Sequence, residues 1–336
     1  MSVTPPKREF DFAVLGAGAI GSILGAHLAR AGHSVLMLAR GRRATDIQQR
    51  GLSVTGLAEL SEPVRVLSDP ARLRSAEVLI VATKTPGTAE ALARLRHVDV
   101  GLAFSIQNGP LKNELLSEAF GADRVLGALA DTSGEMLPDG RVLFTRNVNI
   151  LLGELTGRES ARAPHVAATI DSAGVRAAAV PDILGLEWSK FVNWVGMMAL
   201  AVLTRSVTWR YLVDPDAALL LVRVTREMSR LADALGIEVT DKSTLPSASL
   251  CHGSEEDAVE LVIEVGRSYA ARAPEHRMSA LQDLNAGRPL EIHETLGYAL
   301  KKATEHGIAT PLLDGLYRVI SAAERIRETA GTTSGA

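Results

Sequence analysis

Hydrophobic residues follow two patterns along the chain, and the pattern changes near Leu186. Before that residue, short apolar runs typical of buried parallel strands alternate with stretches in which apolar residues recur at helical spacing. After it, the helical period continues almost throughout. We therefore predict an α/β protein with a parallel-sheet domain over residues 1–184 and an all-α domain over residues 185–328. The segment Thr329 to Ala336 is predicted to be a disordered tail.

Individual elements can be placed from the same patterns. In the first domain we predict strands at Phe12–Leu15, Val35–Leu38, Glu77–Ala82, Gly101–Ile106, Arg124–Ala130 and Val175–Val180, a hairpin formed by Arg141–Phe144 and Val148–Leu152, and helices at Ile20–Ala31 and Ala161–Ala173. In the second domain we predict a buried helix at Phe191–Thr204 and amphipathic helices at Ala217–Leu235, Ala258–Ala271 and Thr295–His306. The buried helix is too short to span a bilayer and is interrupted by Asn193.

A glycine-rich turn joins the first predicted strand to its helix. It spans Gly16 to Gly21 and is a complete GxGxxG, with a second strand after the helix. In such a unit the first glycine permits the tight turn, the second lets the backbone approach a pyrophosphate, and the third lets the helix pack closely on the sheet. The pyrophosphate then lies at the helix N-terminus, where N–H groups and the dipole favour an anion. We predict a Rossmann-type dinucleotide site formed by Gly16, Gly18, Ala19, Ile20 and Gly21; the alternative is a turn that binds nothing.

The residues after the second strand indicate which dinucleotide is bound. NAD-specific sites usually carry an Asp or Glu there, which hydrogen-bonds the ribose hydroxyls. Here the strand is followed by Arg40, Arg42 and Arg43, and no acid is present. A guanidinium is a planar and permanently charged fork that suits a 2′-phosphate. We therefore predict NADP (NADPH) as the cofactor and Arg40, the nearest to the strand end, as the 2′-phosphate ligand; for Arg42 and Arg43 a solvated basic loop is an equal alternative.

Composition excludes several classes of function. The 336 residues are 46% hydrophobic and 22% charged, with a net charge of −3, which is ordinary for a globular protein and offers no electrostatic attraction to nucleic acid or to an anionic membrane. A single cysteine, Cys251, excludes an internal disulfide and fits a reducing compartment. Since Met1 to Phe10 lacks the apolar core of a signal peptide, we expect a cytoplasmic location. The late histidines show no ligand spacing, so we expect no metal site.

Polar clusters follow two of the predicted strands. Lys84 lies in the cluster Thr83–Thr85, and Asn108 lies in the cluster Gln107–Gly109. In open α/β sheets, ligands bind outside the carboxyl ends of the strands. Both clusters are therefore candidate binding loops.

Lys190 is the candidate for chemistry in the second domain. It lies near the start of the first helix there, and helical spacing puts it on one stripe with Trp194, Met197 and Ala201. An ammonium in an apolar stripe is costly to bury unless it has a task or a partner, and general acid catalysis is such a task. The alternative is a lysine at a helix edge, with its stem on the core and its charge in solvent.

A polar segment, Arg277–Glu294, is predicted to be a loop between two helices. Gly287 and Pro289 interrupt any helix here, so Ser279 and Glu291 are expected on different elements and could converge on one pocket. Spacing alone does not distinguish this segment from an ordinary interhelical loop.

Together these motifs resemble the ketopantoate reductase family, also called the 2-dehydropantoate 2-reductase family, from about Phe10 to about Arg325. The resemblance is carried by five motifs in the family's order: Gly16 to Gly21, Lys84, Gln107-Asn108-Gly109, Asp182-Ile183 with Trp188-Ser189-Lys190, and Ser279 through Glu291. Membership implies an NADP-binding Rossmann domain, a helical C-terminal domain, and a cleft between them that holds a 2-keto acid.

The resemblance also implies roles for individual residues. Lys190 would donate a proton to the ketone oxygen while the nicotinamide delivers hydride to the carbon, and its charge would stabilise the alkoxide. Asn108 would lie by the nicotinamide and the substrate, and Lys84 would line the cofactor side. Ser279 and Glu291 would hydrogen-bond the substrate's carboxylate and hydroxyl ends.

One departure from the family pattern concerns the substrate. Pantoate-forming members carry asparagines four and eight residues after the catalytic lysine, where this chain has Trp194 and Met198. Asn193 lies one place earlier and would point about 100° away on a helix, although it remains a candidate substrate contact. His293 also replaces the acid common after the Glu-Ile pair. A bulkier and more apolar pocket is implied, so the substrate is predicted to be 2-dehydropantoate or a bulkier relative.

Two other functions fit the same motifs. One is a related NAD(P)-dependent dehydrogenase that oxidises a hydroxy or amino acid, because a Rossmann domain followed by a helical domain serves both. The other is a protein that senses NADPH without turnover, which would not need the proton donor Lys190. A homodimer is also possible, since helical second domains often supply dimer contacts.

Overall fold

Two β-sheets organise the first compact unit, whose boundary with the second lies between Leu184 and Gly185. The structure is a computed structural model that describes residues 8–333, with side chains for residues 8–327. The strands are β1 Phe10–Leu15, β2 Val35–Leu38, β3 Leu52–Gly56, β4 Leu60–Glu62, β5 Arg65–Leu67, β6 Ser75–Val81, β7 Asp99–Ser105, β8 Leu126–Met136, β9 Val142–Glu154 and β10 Ala177–Ala179. The α-helices are α1 Ala19–Arg30, α2 Gly41–Arg50, α3 Thr88–Ala93, α4 Leu111–Phe120 and α5 Arg162–Ser172.

The first sheet is fully parallel, in the order β5-β2-β1-β6-β7. Its central strand β1 sends Phe12 and Val14 into one apolar cluster and Ala13 and Leu15 into another. Because successive side chains of a strand point to opposite faces, a sheet covered on both sides needs the continuous apolar runs seen in the sequence. The predicted Rossmann-type parallel sheet is thus confirmed. The strand order reverses between β1 and β6, which is where such sheets bind ligands.

The second sheet has the order β10-β9-β3-β4, with β8 paired to β9 in antiparallel register. The predicted hairpin between Arg141–Phe144 and Val148–Leu152 was wrong, because both runs belong to the single strand β9. The polar residues between them stay in the ladder through two register shifts, and Arg146 forms a bidentate ion pair with Asp131 of β8, at 2.6 and 2.7 Å. A β-bulge, not a turn, therefore accounts for the polar interruption.

The actual hairpin turn lies between β8 and β9, over residues 137–141. The Leu137 N–H donates to the Arg141 carbonyl, and Gly140 closes the turn with a φ of +89°. That conformation favours glycine. The Gly140 carbonyl of this turn accepts a hydrogen bond from Arg43.

The second unit is built from helices, which confirms the predicted all-α domain. They are α6 Ile183–Thr204, α7 Thr208–Leu212, α8 Pro215–Ala234, α9 Ser247–Cys251, α10 Glu255–Arg272, α11 Ser279–Asn285, α12 Tyr298–Glu305 and α13 Pro311–Thr333, with a π-helical turn at His293–Gly297. Within the described part of the chain, no helix is both long enough and apolar enough to cross a membrane.

Two sequence expectations differ from the structure in this unit. The predicted loop Arg277–Glu294 contains the short helix α11, which forms because Ala280 and Leu281 are buried and Arg288 bonds back to Asp283 at 2.8 Å. Helix α13 continues to Thr333, so the predicted tail begins inside the helix, and the last three tail residues, 334–336, lie outside the described residues.

Candidate active site

The glycine turn leaves one of its three glycines open. Gly16 has a φ of +107°, and a Cβ there would come within 2.8 Å of Thr83. At Gly21 a Cβ would be 2.1 Å from the Gly16 carbonyl oxygen, which shows how closely helix α1 packs on the turn. At exposed Gly18, by contrast, the nearest neighbour of a Cβ would be the Ala82 oxygen at 4.0 Å. The turn therefore offers an open backbone at Gly18 beside the first turn of α1, where Ala19 and Ile20 present helix N-terminal amides.

The side chain of Gln107 joins the loops that follow β6 and β7. Its Nε2 donates to Thr83 Oγ1 at 3.2 Å and to Thr88 Oγ1 at 2.7 Å, and its Oε1 accepts from Ser105 at 3.0 Å. Lys84 is exposed on the first of these loops, and Asn108 is partly exposed on the second. The two candidate loops are therefore one connected structure at the carboxyl edge of the sheet.

Lys112 is a buried cation that the sequence did not single out. It is 3% exposed, and its Nζ donates to the Gln107 carbonyl at 3.0 Å and to the Ala128 carbonyl at 2.5 Å. Lys112 thus fixes the backbone next to Asn108 to strand β8. A lysine in the first turn of a helix resembles any solvated lysine in the sequence, so no pattern indicated this role.

The three arginines after β2 have different surroundings. Arg40 caps the start of α2 and is exposed, and Arg42 is 89% exposed with Asp46 at 3.9 Å. Arg43 is instead held by three hydrogen bonds, to the Ala17 carbonyl, to Ser22 and to the Gly140 carbonyl. Arg40 thus keeps an accessible guanidinium at the carboxyl end of β2, which suits a 2′-phosphate. The residue types and the open backbone of the turn fit a phosphorylated dinucleotide.

Lys190 occupies an unusual position on helix α6 in the second unit. From Gly185 to Val202 every residue is buried except Lys190, which is partly exposed. Trp194, one turn further on, is 8% exposed, and Met198 is fully buried. Between Gly185 and Val202 the helix thus presents a single accessible side chain, and that side chain is an ammonium.

Asn193, a predicted substrate contact, is buried and hydrogen-bonded within the second unit. It is 2% exposed, and its Nδ2 donates to Ser247 Oγ at 2.6 Å and to Ser243 Oγ at 3.1 Å. These bonds tie α6 to the start of α9 and to the segment before it. Because its amide nitrogen is engaged inside the unit, Asn193 is better explained as a structural residue.

Glu291 and Ser279 lie on separate elements, as predicted. Ser279 is the partly exposed first residue of α11, and Glu291 is 7% exposed, just before the π-helical turn. The Thr295 hydroxyl donates to the Glu291 carbonyl at 2.5 Å and lies 3.7 Å from the Met198 sulfur. Thr295, which the sequence did not indicate, therefore links the segment of Glu291 to the helix of Lys190.

A second carboxylate close to Glu291 has an altered acidity. Burial raises the pKa of Glu294, and the negative charges of Glu291 and Glu324 raise this pKa further, against the lowering effects of its own backbone N–H and of His293. Its Oε2 is buried without a hydrogen-bond partner among the described residues. Burial and the two neighbouring carboxylates therefore favour the protonated form of Glu294.

Comparisons with known proteins agree over both units. The family model for ketopantoate reductase PanE/ApbA matches residues 12–157, and the model for the C-terminal part of the same family matches residues 182–324. The 2-dehydropantoate 2-reductase of Archaeoglobus fulgidus is 30% identical over 295 residues, which cover 88% of this chain and 91% of that protein.

Solved structures show the same architecture. The 2-dehydropantoate 2-reductase of Geobacter metallireducens has a TM-score of 0.77 and 26% identity, covering 93% of this chain and 99% of its own. A D-mandelate dehydrogenase in complex with NADH and anilino(oxo)acetate has a TM-score of 0.80 and 19% identity, covering 94% of this chain and 98% of its own. At that identity the second likeness shows the shared fold alone.

Proposed function

Because the chain belongs to the ketopantoate reductase family, whose members are NADP-dependent oxidoreductases, we propose that it reduces a 2-keto acid to the 2-hydroxy acid, with 2-dehydropantoate or a bulkier relative as substrate. The family that the sequence motifs indicated is thereby confirmed, together with NADPH as its cofactor. When bound, NADPH supplies the hydride.

The proton comes from Lys190. The observation that carries this assignment is the lone accessible ammonium on a helix whose neighbouring residues, from Gly185 to Val202, are all buried. A cation there donates a proton to a ketone oxygen as negative charge develops on it, and stabilises that charge. A lysine placed only for solubility would not need this position.

The remaining residues bind and orient. The turn from Gly16 to Gly21 holds the pyrophosphate, and Arg40 holds the 2′-phosphate. Lys84 and Asn108 line the cofactor side, on the loops that Gln107 connects. Ser279 and Glu291 hydrogen-bond the hydroxyl and carboxylate ends of the substrate. The hydroxyl end is the better partner for Glu291, because a hydroxyl donates to a carboxylate and a second carboxylate cannot.

The substrate side chain meets an apolar surface. Trp194 and Met198 stand where pantoate-forming relatives have asparagines, and the Met198 sulfur is already in contact with Thr295. Neither side chain can replace the hydrogen bonds of two amides. The loss of these two amides makes a keto acid with a larger apolar side chain as good a candidate as 2-dehydropantoate.

Turnover measurements with purified protein test the function. The protein is mixed with NADPH and a panel of 2-keto acids that includes 2-dehydropantoate, branched aliphatic acids and an aryl 2-keto acid, and the absorbance of the reduced nicotinamide is followed. Turnover of 2-dehydropantoate supports the pantoate-forming role, and turnover of bulkier acids alone supports the apolar pocket. Tight NADPH binding without turnover of any acid would indicate the sensing alternative, and activity only with NADP and hydroxy or amino acids would indicate the oxidative one.

The role of Lys190 has its own test. Lys190→Ala should lower kcat by about 100-fold or more, the usual contribution of a positioned proton donor, with little change in the KM for NADPH. Lys301→Ala is the matched control, because Lys301 is 74% exposed on α12. Equal rates in Lys190→Ala and the parent protein would remove Lys190 from the reaction. The homodimer remains a prediction, which light scattering on the purified protein would test.

A further inference from the structure

Arg43 lies beside the glycine turn, and each of its three guanidinium nitrogens donates a hydrogen bond to the protein itself. Nε donates to the Ala17 carbonyl at 3.0 Å, Nη2 donates to Ser22 Oγ at 2.9 Å, and Nη1 donates to the Gly140 carbonyl at 2.7 Å. These three acceptors belong to the glycine turn, to the first turn of α1, and to the turn between β8 and β9. One side chain of α2 therefore connects three separate parts of the first unit.

The contacts around Arg43 fix the turn from one side. Ser22 is fully buried, and its hydroxyl also donates to the Ala17 carbonyl at 3.2 Å. The Ala17 oxygen thus accepts from both Arg43 and Ser22. On the far side, Arg50 donates to the Asp139 carbonyl at 3.3 Å, which adds a second bond between α2 and the β8–β9 turn. The peptide that precedes Gly18 is consequently held in one orientation.

The contrast with Arg40 separates two kinds of arginine. A guanidinium that binds a phosphate from solution presents its planar fork to solvent, as the exposed Arg40 does. All three nitrogens of Arg43 already donate to protein oxygens, and burial lowers the pKa of this arginine against the raising effect of Asp46. Its geometry is that of a support for the turn.

We infer that Arg43 is a positioning residue for the pyrophosphate-binding turn, which serves NADPH and NADH equally, whereas discrimination for the 2′-phosphate belongs to Arg40. This inference rests on the dinucleotide part of the proposed function and not on the keto acid. Loss of Arg43 should release the Ala17 carbonyl and weaken the binding of either dinucleotide by a similar factor, about tenfold, which corresponds to about 1.4 kcal/mol.

Dissociation constants for NADPH and NADH, measured by fluorescence titration without substrate, test the inference. Arg43→Gln should raise both constants by the same factor, and Arg43→Lys should recover part of the loss because an ammonium can keep one of the bonds. Arg40→Ala is the matched contrast and should raise the constant for NADPH alone. A rise confined to NADPH in Arg43→Gln would make Arg43 a 2′-phosphate ligand and overturn the inference.

Hydrogen exchange of the cofactor-free protein supplies a readout that does not depend on binding. Arg43→Gln should speed the exchange of amides between Gly16 and Ser22, and Arg40→Ala should leave it unchanged. Should Arg43→Gln fail to fold, Ser22→Ala removes one of its partners and should weaken both dinucleotides to a smaller extent. The positioning role of Arg43 would be refuted if hydrogen exchange and both dissociation constants were unchanged in Arg43→Gln or in Ser22→Ala. Binding of both dinucleotides without turnover of any keto acid would leave this inference standing while the proposed function fell.

Discussion

Gly18→Ala and Gly21→Ala add the same methyl group three residues apart and should damage different properties. At Gly18 the backbone has a φ of −69° and a ψ of −169°, which alanine adopts freely, and the nearest atom to the new Cβ is 4.0 Å away. Alanine is a poorer N-cap than glycine but loses less entropy on folding, so the two effects largely cancel. We expect the free energy of unfolding to change by less than about 1 kcal/mol.

The same methyl group at Gly18 should weaken the cofactor strongly. It stands over the backbone that a pyrophosphate must approach, so at least one charge-assisted hydrogen bond from the turn is lost or lengthened. Such a bond contributes about 1.5–3 kcal/mol, which corresponds to an increase of about 10- to 100-fold in the dissociation constant of NADPH.

At Gly21 the order of effects reverses. The new Cβ would lie 2.1 Å from the Gly16 oxygen and 3.0 Å from the Ala82 Cβ, so helix α1 must move away from the turn. Overpacking of this kind costs about 1–3 kcal/mol, which lowers the melting temperature by roughly 1–4 °C in a protein of this size. Weaker NADPH binding should follow only as a consequence of the displaced helix.

Thermal unfolding of the cofactor-free variants and titration with NADPH would measure both quantities. The reasoning predicts a stable Gly18→Ala that binds poorly and an unstable Gly21→Ala. If Gly18→Ala lost as much stability as Gly21→Ala, or bound NADPH as tightly as the parent protein, the assignment of open backbone at Gly18 would be refuted.

Three further predictions concern buried polar groups. Lys112→Met should lower the free energy of unfolding by about 1–3 kcal/mol in urea titrations, because buried carbonyls lose a donor, and a change below about 0.5 kcal/mol would contradict this. Burial lowers the pKa of His27 against the raising effect of its bond to the Ala173 carbonyl, so the unfolded chain takes up a proton first as the pH falls below the ordinary value of 6.5. The contribution of neutral His27 to the free energy of unfolding should therefore be fully present above pH 6.5. Below pH 6.5 it should decrease by up to about 1.4 kcal/mol per pH unit, and this slope should disappear in His27→Gln. Equal slopes in the two proteins would contradict the role of His27. Burial raises the pKa of Cys251, and its thiol donates to the Ser247 carbonyl at 3.0 Å. Iodoacetamide at pH 8 should therefore alkylate the folded protein much more slowly than the urea-unfolded chain. Similar rates would show that the fold does not protect this thiol.

Local signals predicted the start of the fold well. Strand β2 matches its predicted bounds, and α1 begins and ends one residue from the prediction, because a glycine turn and short apolar runs act over a few neighbouring residues. The hairpin assigned to Arg141–Leu152 was wrong for the opposite reason. Its polar centre is stabilised by Asp131 on another strand, and a single sequence does not show that pairing.

The sequence predicted which residue types form the candidate site but few of the contacts that these residues make. Gly16 to Gly21 and Arg40 followed from chemistry and spacing, whereas the roles of Lys190 and Glu291 came from the family resemblance. The partners of Asn193 could not be predicted, because helical geometry gives the direction of a side chain but not what it contacts. Here its amide nitrogen donates to two serines about fifty residues further on, Ser243 and Ser247.

The cations near the proposed cofactor site divide into two kinds that look alike in sequence. Arg40 and Lys84 are exposed beside their strands, whereas Arg43 and Lys112 are directed at backbone carbonyls, with Gly140 lying 97 residues from Arg43. An exposed cation changes affinity for the one phosphate or carboxylate that it contacts. A cation held by carbonyls changes the shape of a loop and so affects every ligand of that loop. Replacing a cation held by carbonyls should therefore alter NADPH and NADH binding together. Composition and spacing alone could not have told such a cation from one that contacts the ligand through its charge.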